Sequence, residues 1–178
     1  MSTAVCTLRA PDMRTLILLR HAKSDYPLGV GDHDRPLAAR GLRDAPVAGR
    51  WIAEHCPPPD LVLVSSAERA QRTWEIASAE CPDVVSPTTE TRIYEASSAT
   101  LAEIVSEIPE SVTSAILVGH NPGLEDLALR VARGGDPEAL AALREKYPTS
   151  GIAVLQSPGT WAELVSSADL VAFAVPRG

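Results

Sequence analysis

Thr15-Leu16-Ile17-Leu18-Leu19-Arg20-His21-Ala22-Lys23-Ser24 is a short apolar run that stops at an arginine-histidine pair. Consecutive branched aliphatics bounded by polar residues read as a buried parallel strand. The run is too short for a membrane helix and lacks the alternation of a half-exposed strand. Arg20 and His21 therefore sit at a strand's carboxyl end, where open α/β sheets hold their ligands. The pair reads either as a structural turn or as a phosphoryl acceptor beside its charge clamp, and the rest of the chain has to separate the two.

The same strand-end signature recurs twice. Residues 61–64 form a second apolar run, followed by Ser65-Ser66-Ala67-Glu68, a capping-box pattern that predicts a helix to about residue 80 with Arg69 in its first turn. A cation there opposes the helix macrodipole unless an anion is bound, and a strand-turn-helix junction with an arginine is one way to hold phosphate. Residues 115–118 form another buried strand ending in Gly119-His120-Asn121-Pro122-Gly123, with Asn121 predicted to cap the next helix and Pro122 to take its first position. Glu125 and Asp126 suit that helix's start, and Gly134-Gly135 its end. In a doubly wound sheet the three strand ends converge on one crevice.

Around this frame, residues 1–13 show no periodicity, include Pro11 and read as a mobile arm, with Met13 an alternative start and 14–178 a single domain. Residues 23–37 read as a turn-rich active-site loop whose Gly29-x-Gly31 does not extend into a dinucleotide fingerprint. Asp32, His33 and Asp34 read as a solvated turn in which one carboxylate orients Arg35, in preference to a metal site. Periodicity predicts a helix over 42–55, with Pro46 near its start and Pro57-Pro58-Pro59 beyond its end. A short third strand is expected within 84–93, a loop at 94–98, helices over about 100–108 and 137–146, and a strand over 151–156. A final strand pair near 162–165 and 170–175, after a Pro158-Gly159-Thr160 turn, adds antiparallel strands to the parallel sheet.

With 178 residues, 45% hydrophobic and 4% aromatic, the chain can bury one sizeable aliphatic core. A formal net charge of -7 argues against nucleic acid or an anionic membrane as the main partner. No apolar run approaches the roughly 18 residues of a membrane span, and no signal core is seen, so a cytoplasmic protein is expected. Cys6, Cys56 and Cys81 are odd in number, with neither zinc spacing nor a Cys-x-x-Cys pair, and read as reduced structural thiols. Two histidines and several arginines around one cavity describe a site for a dianion. Phosphoryl transfer needs little beyond an in-line nucleophile and cations over the equatorial oxygens. His21, beside Arg20, is the better nucleophile. His120, protonated or donating, would hold an equatorial oxygen.

Four blocks in this order resemble the histidine phosphatase, or phosphoglycerate mutase-like, superfamily, and within it the small branch typified by the phosphohistidine phosphatase SixA. They are Leu19-Arg20-His21-Ala22-Lys23-Ser24, Asp32-His33-Asp34-Arg35-Pro36-Leu37 with Gly41, Ser65-Ser66-Ala67-Glu68-Arg69-Ala70 through Thr73-Trp74-Glu75, and Gly119-His120-Asn121-Pro122-Gly123-Leu124-Glu125. The resemblance spans about residues 15–157. It implies a three-layer α/β sandwich with a mainly parallel central sheet, and the short spacing between the strands at 61–64 and 115–118 leaves no room for a large cap domain. It implies His21 as the phosphorylated nucleophile, Arg20, Arg69 and His120 as the phosphate pocket, Arg35 as a further contact, and neither metal nor cofactor. The substrate is then a phosphorylated protein, as phosphohistidine, or a small phosphate ester.

Larger members place a carboxylate after the third strand. Glu95 lies in that region, either as a general acid for esters or as a loop residue, since a departing imidazole needs less help than an alkoxide. Three departures stand out: Ser66 where proline is usual, Arg72 where glutamine is common, and Ala22 in place of the wider superfamily's glycine, the last fitting the small branch. Competing readings are a broad phosphomonoesterase, a mutase primed by a bisphosphate, and a noncatalytic phospho-binding module. A metallophosphoesterase built on His21, Asp32, Asp34 and His120 fits less well, because the Gly119-His120-Asn121 order differs from such enzymes. A serine hydrolase lacks its Gly-x-Ser-x-Gly elbow.

Overall fold

The computed structural model describes residues 13–178. The expected arm and Cys6 lie outside the described residues, except that Met13 opens the first strand and pairs with Pro158. Strands β1 (Met13–Arg20), β2 (Leu61–Val64), β3 (Thr88–Thr89), β4 (Ser114–Gly119), β5 (Ala132–Gly135), β6 (Ile152–Pro158) and β7 (Ala168–Ala174) form one sheet. Its order is β3-β2-β4-β1-β6-β7-β5. The first four strands run parallel, β6 is antiparallel to β1 and β7, and β5 is parallel to β7.

Leu16 to Leu19 of β1 are 0–1% exposed because helices cover both faces of the sheet. Ile17 and Leu19 pack with Ile52 of α1 (Ala39–His55) and Trp74 of α2 (Glu68–Ser78). Leu16 and Leu18 belong to the opposite core, with Leu101 of α3 (Ser98–Ser106), Leu127 of α4 (Gly123–Val131), Leu143 of α5 (Pro137–Glu145) and Trp161 of α6 (Trp161–Leu164). A strand buried on both faces has no polar positions to alternate with, and each such side chain contributes about 1.5–3 kcal/mol of burial. The result is a three-layer α/β sandwich, and only α2, β3, one 3-10 turn (Thr91–Ile93) and α3 lie between β2 and β4.

Several local expectations are corrected. α1 begins at Ala39, earlier than periodicity predicts, because the Ala38 N–H donates to the Lys23 carbonyl (2.9 Å) and the Leu42 N–H to Ala38 (3.1 Å), leaving Pro46 inside the helix. Ser65 is not a cap. Its hydroxyl meets His120, and the N-cap position of α2 is Ala67, without a side-chain cap. Asn121 does not cap α4 either, since its amide donates to Glu125 (2.8 Å) and to the Tyr147 carbonyl (3.0 Å), while Pro122 takes the cap position. α4 ends at Val131, and Gly134-Gly135 belong to β5, whose backbone pairs with β7.

The predicted strand at 162–165 is helix α6. Thr160 and Glu163 form a reciprocal capping box there and Trp161 and Leu164, three apart, are buried on one face. Only two residues of 84–93 pair, as β3, before the 3-10 turn.

Candidate active site

β2, β4 and β1 are consecutive in the sheet and parallel, with Val64 opposite Val118 and Arg20 opposite Gly119, so their carboxyl ends finish side by side. The chain leaves β1 with the His21 N–H on the Gly119 carbonyl (3.0 Å), which sets the two histidine-bearing turns against each other. The ring centroids of His21 and His120 lie 5.0 Å apart. Arg20, His21, Arg35, Arg69, Glu95 and His120, the site residues read from the sequence, all line one cavity of about 570 Å³ that opens to solvent. Lys23, Tyr26, Asp32, Asn121 and Thr149 contribute to the same wall.

His21 is buried and its Nδ1 lies 2.7 Å from the Ala22 carbonyl oxygen. A carbonyl only accepts, so Nδ1 carries the proton and Nε2 keeps its lone pair. Burial pushes the ring's pKa down to about 3, and it is uncharged at neutral pH. Thr73 of α2 accepts from the Ala22 N–H (2.9 Å) and donates to the Arg69 carbonyl (2.6 Å), tying the turn after β1 to the helix that carries Arg69. For His120, burial first and the Arg69 charge second push the pKa down to about 4. Of the two options left open for this ring, the neutral donor is the one the environment selects.

Three guanidinium groups surround these rings. Arg20 donates to the Tyr147 carbonyl (2.7 Å), and its Nε and the Nε of Arg69 are buried without a protein partner. Arg35 donates to Asp32 Oδ1 (2.9 Å) and Ser24 Oγ (3.0 Å), and its guanidinium lies over the Tyr26 ring at 3.9 Å. Asp32 orients Arg35 as the sequence leads one to expect. It also accepts from Arg69 NH2 at Oδ2 (3.1 Å) and from the Tyr94 hydroxyl (2.8 Å), while its backbone carbonyl takes Arg69 NH1 (2.6 Å). The Tyr94 hydrogen bond, followed by the charges of Arg69 and Arg35, holds the Asp32 carboxyl below the usual carboxylate range.

His33 contacts Asp34 and Ser66, both at 3.0 Å. The three residues weighed as a metal triad are therefore engaged in an arginine-tyrosine-serine network. Among the described residues no group of three or more histidine, cysteine or acidic side chains is spaced to hold a metal ion.

Sequence reading missed Tyr94, whose ring also packs edge-on against His120 (5.8 Å between centroids), and the true role of Ser65. Neither carries a local signal, since Tyr94 lies 62 residues from Asp32 and Ser65 lies 55 from His120. Glu95 is on the cavity wall, and its backbone adopts φ 55°, an uncommon conformation for a residue with a Cβ. Chemically, the assembly offers an unprotonated nitrogen, a neutral N–H donor and several cations around one opening, which is what a tetrahedral dianion needs.

Comparison with known proteins agrees with this geometry. A family model described as the histidine phosphatase superfamily (branch 1) matches residues 16–167. An uncharacterised protein of Mycobacterium tuberculosis is 42% identical over 162 residues, covering 89% of this chain and all of that one. A solved structure described as a candidate phosphohistidine phosphatase SixA from Nakamurella multipartitia superposes with a TM-score of 0.80 at 29% identity, covering 92% of this chain and 96% of that one. A second structure so described, from Agrobacterium tumefaciens, gives a TM-score of 0.75 at 30% identity over 92% of this chain and 98% of the other.

Proposed function

Because the chain belongs to the histidine phosphatase superfamily (branch 1), we propose that it hydrolyses phosphoryl groups through a covalent phosphohistidine on His21, with phosphohistidine on another protein as its substrate. One observation carries the reading: the His21 ring gives its Nδ1 proton to the Ala22 carbonyl, and its cavity is shared with Arg20, Arg35, Arg69 and His120. In the first step the Nε2 lone pair attacks phosphorus and the bond from phosphorus to the departing nitrogen breaks, that nitrogen taking a proton from water. In the second, water attacks phosphorus, the bond to Nε2 breaks, and inorganic phosphate leaves while the water's proton passes to solvent. Arg20, Arg69 and His120 hold the equatorial oxygens in both steps, with Arg35 as a further contact. No step calls on a metal.

Two features favour a protein-borne substrate. Among the described residues no domain covers the cavity, and the loop at its rim exposes Tyr26, Leu28 and Val30 to solvent, with Tyr26 also on the cavity wall. Exposed apolar side chains clustered beside a site suit contact with another macromolecule. Cys81 is a buried free thiol, which suits the reducing cytoplasm.

The position of Glu95 on the wall favours a second reading, action on small phosphate esters whose alkoxide leaving groups need an acid. Mass spectrometry of acid-labile phosphate after exposure to a phosphodonor tests the covalent step. Phosphate on His21, absent from His21→Ala, supports it, and an unmodified His21 under turnover conditions refutes it. Turnover of a chemically histidine-phosphorylated protein against small phosphomonoesters separates the substrates, and a marked preference for one sugar phosphate would overturn the protein reading.

A further inference from the structure

We infer that Ser65 is a positioning residue that selects the tautomer of His120, placing the ring's single proton on Nδ1 where it serves the phosphoryl oxygens. This rests on reading the cavity as a phosphoryl cup. It adds a role for a serine that is not among the residues lining the cavity.

His120 Nε2 lies 2.7 Å from Ser65 Oγ, and His120 Nδ1 is buried with no protein partner. With one proton on a neutral ring, two arrangements exist. In the first, Nε2 carries the proton and donates to Ser65. In the second, the Ser65 hydroxyl donates to Nε2 and Nδ1 carries the proton.

Three other contacts of Ser65 decide between them. Its backbone N–H donates to the Val118 carbonyl (3.0 Å), its carbonyl accepts from the Gln71 amide (2.7 Å), and its Oγ accepts from the Ala67 N–H (3.3 Å). The residue is wholly buried and held on both sides of its Cα. Its oxygen already receives one N–H, and among the described residues its hydroxyl proton has no acceptor besides His120 Nε2. In the first arrangement Ser65 would take two N–H donors while its own proton went unsatisfied, and Nδ1 would turn a bare lone pair toward incoming anionic oxygen. In the second every proton has an acceptor once an anion is bound.

His120 lines the cavity, and burial together with the cations that face it outweighs the one carboxylate, Asp32, that favours a second ring proton. Arg69, Arg20 and Arg35 face it as cations, Asp32 opposes them as a carboxylate, the His21 ring is neutral, and Tyr94 is edge-on. A ring that cannot donate from both nitrogens depends on its partner to choose the right one.

The test measures the tautomer and the kinetics separately. Ring nitrogen NMR on the full chain should show His120 protonated at Nδ1 in the wild type and in Ser65→Thr, and shifted toward protonation at Nε2 in Ser65→Ala. Turnover of phosphoramidate should fall about tenfold or more in Ser65→Ala through kcat, and Ser65→Thr should restore most of it. Nε2 protonation in the wild type, or an unchanged ring signature or unchanged kcat in Ser65→Ala, overturns the inference. Orthovanadate binding by the wild type provides the separate check, because failure to bind defeats the phosphoryl-cup reading while the tautomer spectra still report on Ser65.

Discussion

Replacing His21 or His120 by glutamine should flatten the acid side of the protein's stability curve, each by the amount one titrating imidazole contributes. The rings are held at about 3 and about 4 in the folded protein, against an ordinary value near 6.5 in the unfolded chain. Below pH 6.5 the unfolded chain therefore binds more protons than the folded one. The stability these rings contribute is fully present above that value and is lost as the pH falls toward 3 or 4. Between pH 6 and pH 5 each ring lowers the unfolding free energy by about 1.2 kcal/mol, or about 2.4 kcal/mol for the pair.

Glutamine keeps a polar side chain of comparable reach and does not titrate, so each single variant should lose about 1.2 kcal/mol over that interval where the wild type loses about 2.4. Urea unfolding in phosphate-free buffer at a series of pH values, followed by fluorescence of the buried Trp74 and Trp161, measures the difference. Carboxylates such as Asp32 titrate lower and are common to all three proteins. Parallel wild-type and variant curves across this interval would show that the rings titrate normally, and the neutral-nucleophile chemistry would lose its basis.

Arg69→Ala removes a cup cation and the partner of both Asp32 and its backbone carbonyl, so kcat/KM for phosphoramidate should fall about 100-fold or more; a loss under tenfold would contradict its place at the phosphoryl group. Asp32→Asn removes the negative charge that faces Arg35 and Arg69, and calorimetry should show inorganic phosphate binding about threefold tighter, with weaker binding counting against this account. In Gly41→Ala a Cβ would meet the Lys23 carbonyl and in Gly49→Ala the Ala77 carbonyl, so each should lower the urea midpoint by the equivalent of about 1–3 kcal/mol. Lys23 lies two residues after His21, so at permissive temperature only Gly41→Ala should also reduce kcat. Glu95→Gln should slow phosphate-ester hydrolysis about tenfold or more while sparing phosphoramidate, and equal loss on both would remove its role as an acid specific to esters.

The sheet's centre and the identity of the site's main residues were legible in the chain itself. Leu16 to Leu19 show no alternation because both of their faces are buried, and a run of that kind ending in Arg20-His21, Ser65 or Gly119-His120 puts polar groups where parallel strands open. Local signals failed where a longer-range partner outbid them. Ser65 has a capping sequence, yet its hydroxyl is taken by His120; Gly134 and Gly135 look like a helix stop, yet β7 claims their backbone; and 162–165 is too short for periodicity to separate a helical turn from a strand.

Protonation was decided by the tertiary structure alone. The uncharged state of both rings, the grip of Asp32 on two arginines from different elements, and the Tyr94 hydroxyl that steadies it depend on burial and on distances between residues far apart in the chain. A sequence determines which groups are present, but only their packing sets the dielectric around them and the partner each proton finds.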